Sequence, residues 1–419
     1  MLLRSVVALV AIVCCLLLMQ SAARFGFARL LGKYAVAANS IAAADQAVAL
    51  APVDAEVHRA RARVLNRLQL PGEARRSFEI ASSLRYRDDY LWLELGSTRD
   101  ELGDPAAALT AFDQAVRWAP HYSHTLWQRG NLKLRMGQYA EAFDDLRAAA
   151  ASKTTLTPNL IDLAWGLSRG DAKTVEQLVQ VNNDHARLAF AQFLAKKGKG
   201  KECVEQVRLL GAPLSDENRL ELVQQLIAAK AFRPAFDLWR ADNVLTPPVI
   251  LDGGFEELPR NPFVDRGFGW YIVAKTEPAV ASDEGERLSG GKSLRISFNT
   301  GEWKATTGDV IFQRVVVEPQ RRYRIRFGVK TKEIVTGWPP MVVITDAAAN
   351  QRLGQSQPFP MPSSDWQTMS FEFSTTSSTE AVALELTRVE GTCNQCPIFG
   401  AFWLDDFVIE DVTSVNPQR

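Results

Sequence analysis

Between Leu91 and Pro120 the chain reads LWLELGSTRDELGDPAAALTAFDQAVRWAP, and its apolar residues return every three or four positions. That is the period of a helix with one buried face. The pattern breaks at Leu102-Gly103-Asp104-Pro105, where a glycine suits the end of one helix and Asp-Pro the start of the next. The whole pattern recurs at a spacing of 34 residues: Trp92 is answered by Leu126, Gly96 by Gly130, Gly103 by Gly137, Ala108 by Ala142, Phe112 by Leu146 and Ala115 by Ala149. In the other direction Ala74, Phe78 and Ala81 fall on Ala108, Phe112 and Ala115. A fixed period of this size predicts one helical hairpin per repeat, each stacked on its neighbours. The match weakens after Thr154, but the helix-turn-helix rhythm continues to Arg240. About six or seven hairpins are expected between residue 25 and residue 245.

After Pro247-Pro248 the period falls to two. Leu294, Ile296 and Phe298 alternate with polar residues, as do Tyr323, Ile325, Phe327 and Val329 in RRYRIRFGVK. The same holds for Met369, Phe371 and Phe373, and for Val382, Leu384 and Leu386. About nine or ten such runs, separated by Gly, Pro, Asn and Asp, predict an antiparallel sandwich. Ile250 to Glu257, ILDGGFEE, reads as its first strand. The fold class expected is an all-α superhelix followed by an all-β sandwich.

The N-terminus adds a third part. Ser5 to Met19 carries no charge, and the uncharged run extends through Ala23 to Arg24. This suits either a signal-peptide core or, at full length, a membrane anchor. Both readings send the rest of the chain out of the cytoplasm. The divisions expected are therefore 1–23, leader or anchor; 24–246, helical repeats; 249–413, sandwich; and 414–419, tail.

Composition narrows the partners. The chain has 48 Lys plus Arg against 48 Asp plus Glu, so no global charge argues for nucleic acid. Lys196 to Lys201, KKGKGK, reads as a solvated turn between helices. Five cysteines are few. Cys14 and Cys15 lie in the apolar leader, and Cys203 reads as a small buried residue. Cys393 and Cys396 lack the second Cys or His pair that a metal site of their spacing needs, and an exported chain favours a local disulfide between them.

Trp92, Leu95, Gly96, Ala108, Phe112, Ala115 and Pro120 together resemble the tetratricopeptide repeat. The resemblance implies a superhelix whose concave face holds a protein partner. In the second half, ILDGGFEE, Gly269-Trp270, SGGKSLRISF, FQRVVVEPQRRYRIRFGVK, DWQTMSFEF and FWLDDFVIE follow in an order similar to the carbohydrate-binding modules of families four, nine and twenty-two. Those modules are β-jelly rolls with a galactose-binding-like fold. The resemblance covers about Val249 to Val412 and implies a structural calcium, with Glu256, Asp405 and Asp406 as its ligands. The alternative is that these carboxylates cap turns or face water.

Sugar binding needs aromatic faces ringed by polar groups. Trp270, Trp366 and Trp403 occupy core positions of the motifs. Trp303 and Trp338 lie in polar or Pro-rich segments between strands and are the candidate platforms, with Tyr271 and Gln313 behind them. No G-x-S-x-G, phosphate loop or HExxH occurs, which points away from an enzyme. The expectation is an exported, membrane-tethered scaffold that holds a protein through its repeats and glycan through its jelly roll, as in assembly or export of surface polysaccharide. The alternative is an envelope scaffold that makes protein contacts only.

Overall fold

The computed structural model describes residues 2–241, 245–257, 267–272, 278–299, 310–388 and 397–413. These residues divide into two compact units, Met1–Val181 and Asn182–Arg419.

The first unit is helical: α1 (Leu2–Ala38), α2 (Ile41–Leu50), α3 (Ala55–Arg67), α4 (Pro71–Leu84), α5 (Asp89–Glu101), α6 (Pro105–Trp118), α7 (Ser123–Arg135), α8 (Tyr139–Ser152), α9 (Thr157–Leu167) and α10 (Ala172–Val179). Each helix packs on the next. The starts are set by side-chain acceptors. Asp54 accepts from the Glu56 amide, Asp88 from those of Tyr90 and Leu91, and Asp104 from that of Ala107 with Pro105 next in line. Gly103 and Gly137 take positive φ in the tight turns inside their hairpins. Ala74, Phe78, Ala81, Ala108, Phe112, Ala115, Ala142, Leu146 and Ala149 are all buried, as their period predicts. Trp92 is only half-buried, and its indole nitrogen donates to the Tyr86 carbonyl at 2.9 Å.

Helix α1 runs without a break from the apolar leader into the first hairpin. It is long and apolar enough to cross a membrane. Its distal part packs on α2 and α3 through Ala28 and Ala35.

The second unit begins with α11 (Asp184–Lys196), α12 (Gly200–Arg208), α13 (Asp216–Ala228) and α14 (Phe232–Trp239). KKGKGK forms the α11–α12 turn, and Cys203 is fully buried on α12, where burial pushes its thiol pKa up to about 12. Ten strands follow among the described residues: β1 (Tyr271–Ile272), β2 (Ala279–Asp283), β3 (Ser293–Phe298), β4 (Ile311–Val316), β5 (Arg322–Val335), β6 (Pro340–Asp346), β7 (Arg352–Gln355), β8 (Ser364–Ser374), β9 (Ala381–Arg388) and β10 (Phe399–Asp411). They form two five-stranded antiparallel sheets, ordered β1-β4-β9-β6-β7 and β2-β3-β10-β5-β8. Alternate residues such as Ile296, Phe327, Leu384 and Phe402 meet between the sheets in one apolar core.

The stretch ILDGGFEE is not a strand. Asp252 and Phe255 take positive φ, which breaks the extended geometry. A side chain replaces the ladder: the Gln313 amide on β4 accepts from the Leu251 nitrogen at 2.8 Å and donates to the Leu251 oxygen at 2.9 Å.

The last helical hairpin belongs to the sandwich unit. Phe268, which precedes β1, meets Phe236 at 5.1 Å and Trp239 at 5.9 Å between ring centroids. Arg233 on α14 pairs with Glu318 at 2.8 Å, and Lys230 donates to the Ala348 carbonyl at 2.7 Å. Val342 and Ile344 face the core, so Met341 and Val343 face the other side of the sheet, yet both are buried.

Two outcomes are expected. A fragment from Asn182 to Arg419 should unfold cooperatively as a monomer, whereas one from Val249 to Arg419 should aggregate because Phe268 loses its cover. Phe236→Ala in the full chain should cost about 3–5 kcal/mol in urea denaturation. A well-folded Val249 fragment of undiminished stability would show that the hairpin contributes nothing to the sandwich.

Candidate functional site

Two adjoining cavities open in the first unit. One, of about 150 Å³, lies between α1 and α3 and is lined by Arg29, Lys33, Glu56, Arg59 and Arg63 among others. The second, of about 350 Å³, lies between α3 and α5 and is lined by Arg63, Asn66, Arg67, Tyr90, Glu94 and His124 among others. Arg63 borders both. The walls come mainly from odd-numbered helices, because one helix of each hairpin faces this side.

Charge on the walls is uneven. Arg59, Arg63 and Arg67 stand one helical turn apart on α3, so they share a face. Glu94 on α5 accepts from the Nε of Arg59 at 2.7 Å and from the Nε of Arg63 at 2.6 Å. Burial works against the Arg59 charge, but the hydrogen bond and attraction of Glu94 outweigh it and hold the guanidinium pKa above its usual value. The same guanidinium lies 4.8 Å over the Tyr90 ring. Lys33 and Arg67 have no carboxylate partner among the described residues. Asn66 donates to Thr98 at 2.9 Å, while its own carbonyl oxygen has no partner among the described residues. Five cations and two carboxylates, Glu56 and Glu94, line these cavities, and a third carboxylate outside the lining, Asp54, binds Arg29 at 2.6 Å, which leaves the cations in excess. The wall can accept an acidic chain and stack an apolar or aromatic group on Tyr90. Repeat reasoning missed this site by treating the hairpins as core alone. The signal was present as Arg at positions 59, 63 and 67, with Glu94 about one repeat further on.

The residues expected to hold sugar do not form one platform. Gln313 is fully buried and committed to Leu251. Tyr271, on the edge strand β1, packs edge-on against Phe312 at 5.0 Å. Trp338 lies in the β5–β6 turn, half-buried, with the Arg388 guanidinium 5.8 Å from its ring centre. Arg388 is itself buried, which lowers its pKa, and it donates to the Trp338 carbonyl at 3.0 Å. β4 and β9 separate β1 from β6, whose start lies beside Trp338. Trp303, Cys393 and Cys396 lie outside the described residues. Trp270 and Trp403 are core, as their motif positions imply, and Trp366 is half-buried.

The expected calcium ligands do come together, but they are occupied. Glu256 Oε1 accepts from the Gly291 amide at 2.8 Å. Asp405 accepts from the amides of Leu288 at 2.8 Å, Ser289 at 3.2 Å and Asp406 at 2.8 Å. Asp406 accepts from the Ser289 hydroxyl at 2.5 Å. Asp252 caps the amides of Glu256 and Glu257. Adjacent strand residues should point to opposite faces, but a bulge between Asp405 and Val408, with Asp406 at positive φ, changes that alternation. Burial raises the pKa of both Asp252 and Asp405 despite these amide bonds. Among the described residues no three His, Cys, Asp or Glu converge as a metal site. As placed, Glu256 Oε1 and both Asp405 oxygens are bound by backbone amides, and Asp406 Oδ1 by the Ser289 hydroxyl. The carboxylates fasten the 252–257 loop to the 288–292 turn and that turn to β10, while the Phe407 amide joins the loop to β10 through the Gly253 carbonyl.

The comparisons with known proteins agree with the helical architecture. The tetratricopeptide-repeat family model matches residues 90–122. No curated protein matches the chain. Among solved structures, the crystal structure of MamA is 18% identical, spans 37% of this chain and 89% of its own, and has a TM-score of 0.32. YrrB, described as a TPR protein with an unusual peptide-binding site, is 15% identical over 47% of this chain and 88% of its own, with a TM-score of 0.27. A structure described as "CBM4 structure and function" is 18% identical over 39% of this chain and 99% of its own, with a TM-score of 0.28. The chain contains tetratricopeptide-type repeats, the architecture of protein-interaction scaffolds, and no enzymatic family is indicated.

Gly253 tests the loop fastening. Its carbonyl accepts from Phe407 at 2.9 Å, and a Cβ there would stand 2.1 Å from the Phe407 oxygen. Gly253→Ala is expected to destabilise the second unit by about 1–3 kcal/mol or more in urea denaturation. Wild-type stability in this variant would rule out the close approach of the loop to β10.

Proposed function

We propose that this protein is a non-enzymatic scaffold, tethered to a membrane through α1, whose repeats hold an acidic segment of a partner protein. The observation that carries the proposal is the excess of arginine and lysine over carboxylate in the two joined cavities beside Tyr90. An extended acidic chain supplies the missing negative charge along the cavities. Glu94 keeps Arg59 and Arg63 in fixed positions while leaving the cations in excess.

The jelly roll is the part that would contact glycan on the exported side, in a setting such as surface-polysaccharide assembly. Support for this comes from the order of its motifs. The protein-only alternative draws support from Gln313, which is consumed by the fold, and from Trp338, whose ring is partly covered by Arg388.

Fluorescence anisotropy with acidic, neutral and basic peptides of equal length tests the groove in the full chain. Acidic peptides should bind best, with binding weakened by added salt. Arg63→Glu should lower affinity at least tenfold, as expected for reversing a partly buried charge. Equal affinity for acidic and basic peptides would reject the proposal. A glycan array on the same protein separates the two readings of the jelly roll.

A further inference from the structure

We infer that one edge of the helical repeats lies against a membrane surface and contacts anionic lipid headgroups. This rests on the reading of α1 as a retained anchor. The uncharged run ends at Ala23, and Arg24 is the first charge after it. Arg24 donates to the Leu50 carbonyl, and Arg29 binds Asp54 at 2.6 Å. The turn between α2 and α3, residues 51–54, is therefore level with positions 24–29 of α1. At 1.5 Å per residue that is within about 10 Å of the end of the uncharged run, about one Debye length from the bilayer.

The connections between successive helices are short, so neighbours run antiparallel. Every second turn returns to the same edge: residues 51–54, then 85–88, then 119–122. Their exposed residues suit a headgroup layer. Val53 is 67% exposed, Tyr86 55% and Leu84 40%. Arg87 lies over both Tyr86 at 5.3 Å and Trp118 at 5.6 Å, and Arg117 lies over Trp118 at 5.7 Å. Tyr86 and Trp118 meet edge-on at 5.9 Å, which joins the second and third turns into one patch. Counted to one residue beyond each connection, this edge carries Arg85, Tyr86, Arg87, Trp118 and Tyr122 on three turns, against Arg67, Arg135 and Tyr139 on the four turns of the opposite edge. Aromatic rings with arginine are the side chains that settle at a membrane interface, and each arginine adds attraction to anionic lipid. The asymmetry between the edges, and the continuity of one edge with α1, select the lipid surface as the occupant.

The test uses the full chain in nanodiscs of phosphatidylcholine with phosphatidylglycerol. A photo-reactive amino acid replaces Val13, Tyr86 or Leu102, all of them exposed positions, and lipid adducts are counted by mass spectrometry. Adducts are expected at 13 and 86, with at least about fivefold fewer at 102. Removing phosphatidylglycerol should lower the yield at 86 about fivefold. Adducts at 13 with no excess at 86 over 102 would overturn the inference while leaving the anchor standing. No adduct at 13 would remove the anchor and the inference with it. An undiminished yield at 86 in phosphatidylcholine alone would overturn the assignment to anionic headgroups.

Discussion

The first unit depends on how closely two antiparallel helices can approach. A Cβ at Gly96 would lie 2.6 Å from the Phe112 ring, and one at Gly130 would lie 2.8 Å from the Leu146 side chain. The α5–α6 and α7–α8 hairpins are therefore closed by a glycine facing a large apolar residue, and in α3–α4 the small Ala62 packs with Phe78 at the same repeat position. Because the hairpins close in the same way, their first helices line up. That alignment brings Glu94 on one repeat to Arg59 and Arg63 on the previous one. The charged groove is a consequence of the apolar packing behind it.

The sandwich solves a different problem. Its opening segment carries two glycines and cannot hold itself as a strand. Carboxylates and a buried glutamine supply the acceptors and donors that a neighbouring strand would have given. Asp405 illustrates the cost. Its burial favours the neutral acid, and three amides offset that loss. The same acidic residues that resemble a cation site thus act as fasteners for loops. The α14 hairpin adds a further layer, since Phe236 and Trp239 enclose Phe268. The helical and β parts of the second unit share packing, although the sequence changes character between them.

Much of this was legible in the sequence. The repeat spacing, the helix start at Asp104, the burial of Cys203 and the strand alternation in RRYRIRF all follow from local rules. These features depend on neighbours within a few residues or on a fixed period. The failures are of another kind. ILDGGFEE read as a strand because alternation cannot report positive φ at Asp252 and Phe255. Gln313 read as a secondary sugar-binding candidate because its partner, Leu251, lies far along the chain.

The sequence by itself determined the class of each segment: an apolar N-terminal helix, a helical repeat and an antiparallel sandwich. It could do so because hydrophobic period and turn residues act locally. Only the tertiary structure decided which polar groups remain available. Glu94 is shared by two arginines, Asp405 is filled by amides, Gln313 is spent on Leu251, and Arg87 lies over Tyr86 and Trp118. Those outcomes depend on which distant side chains the packing brings within hydrogen-bonding distance, and no local pattern carries that information.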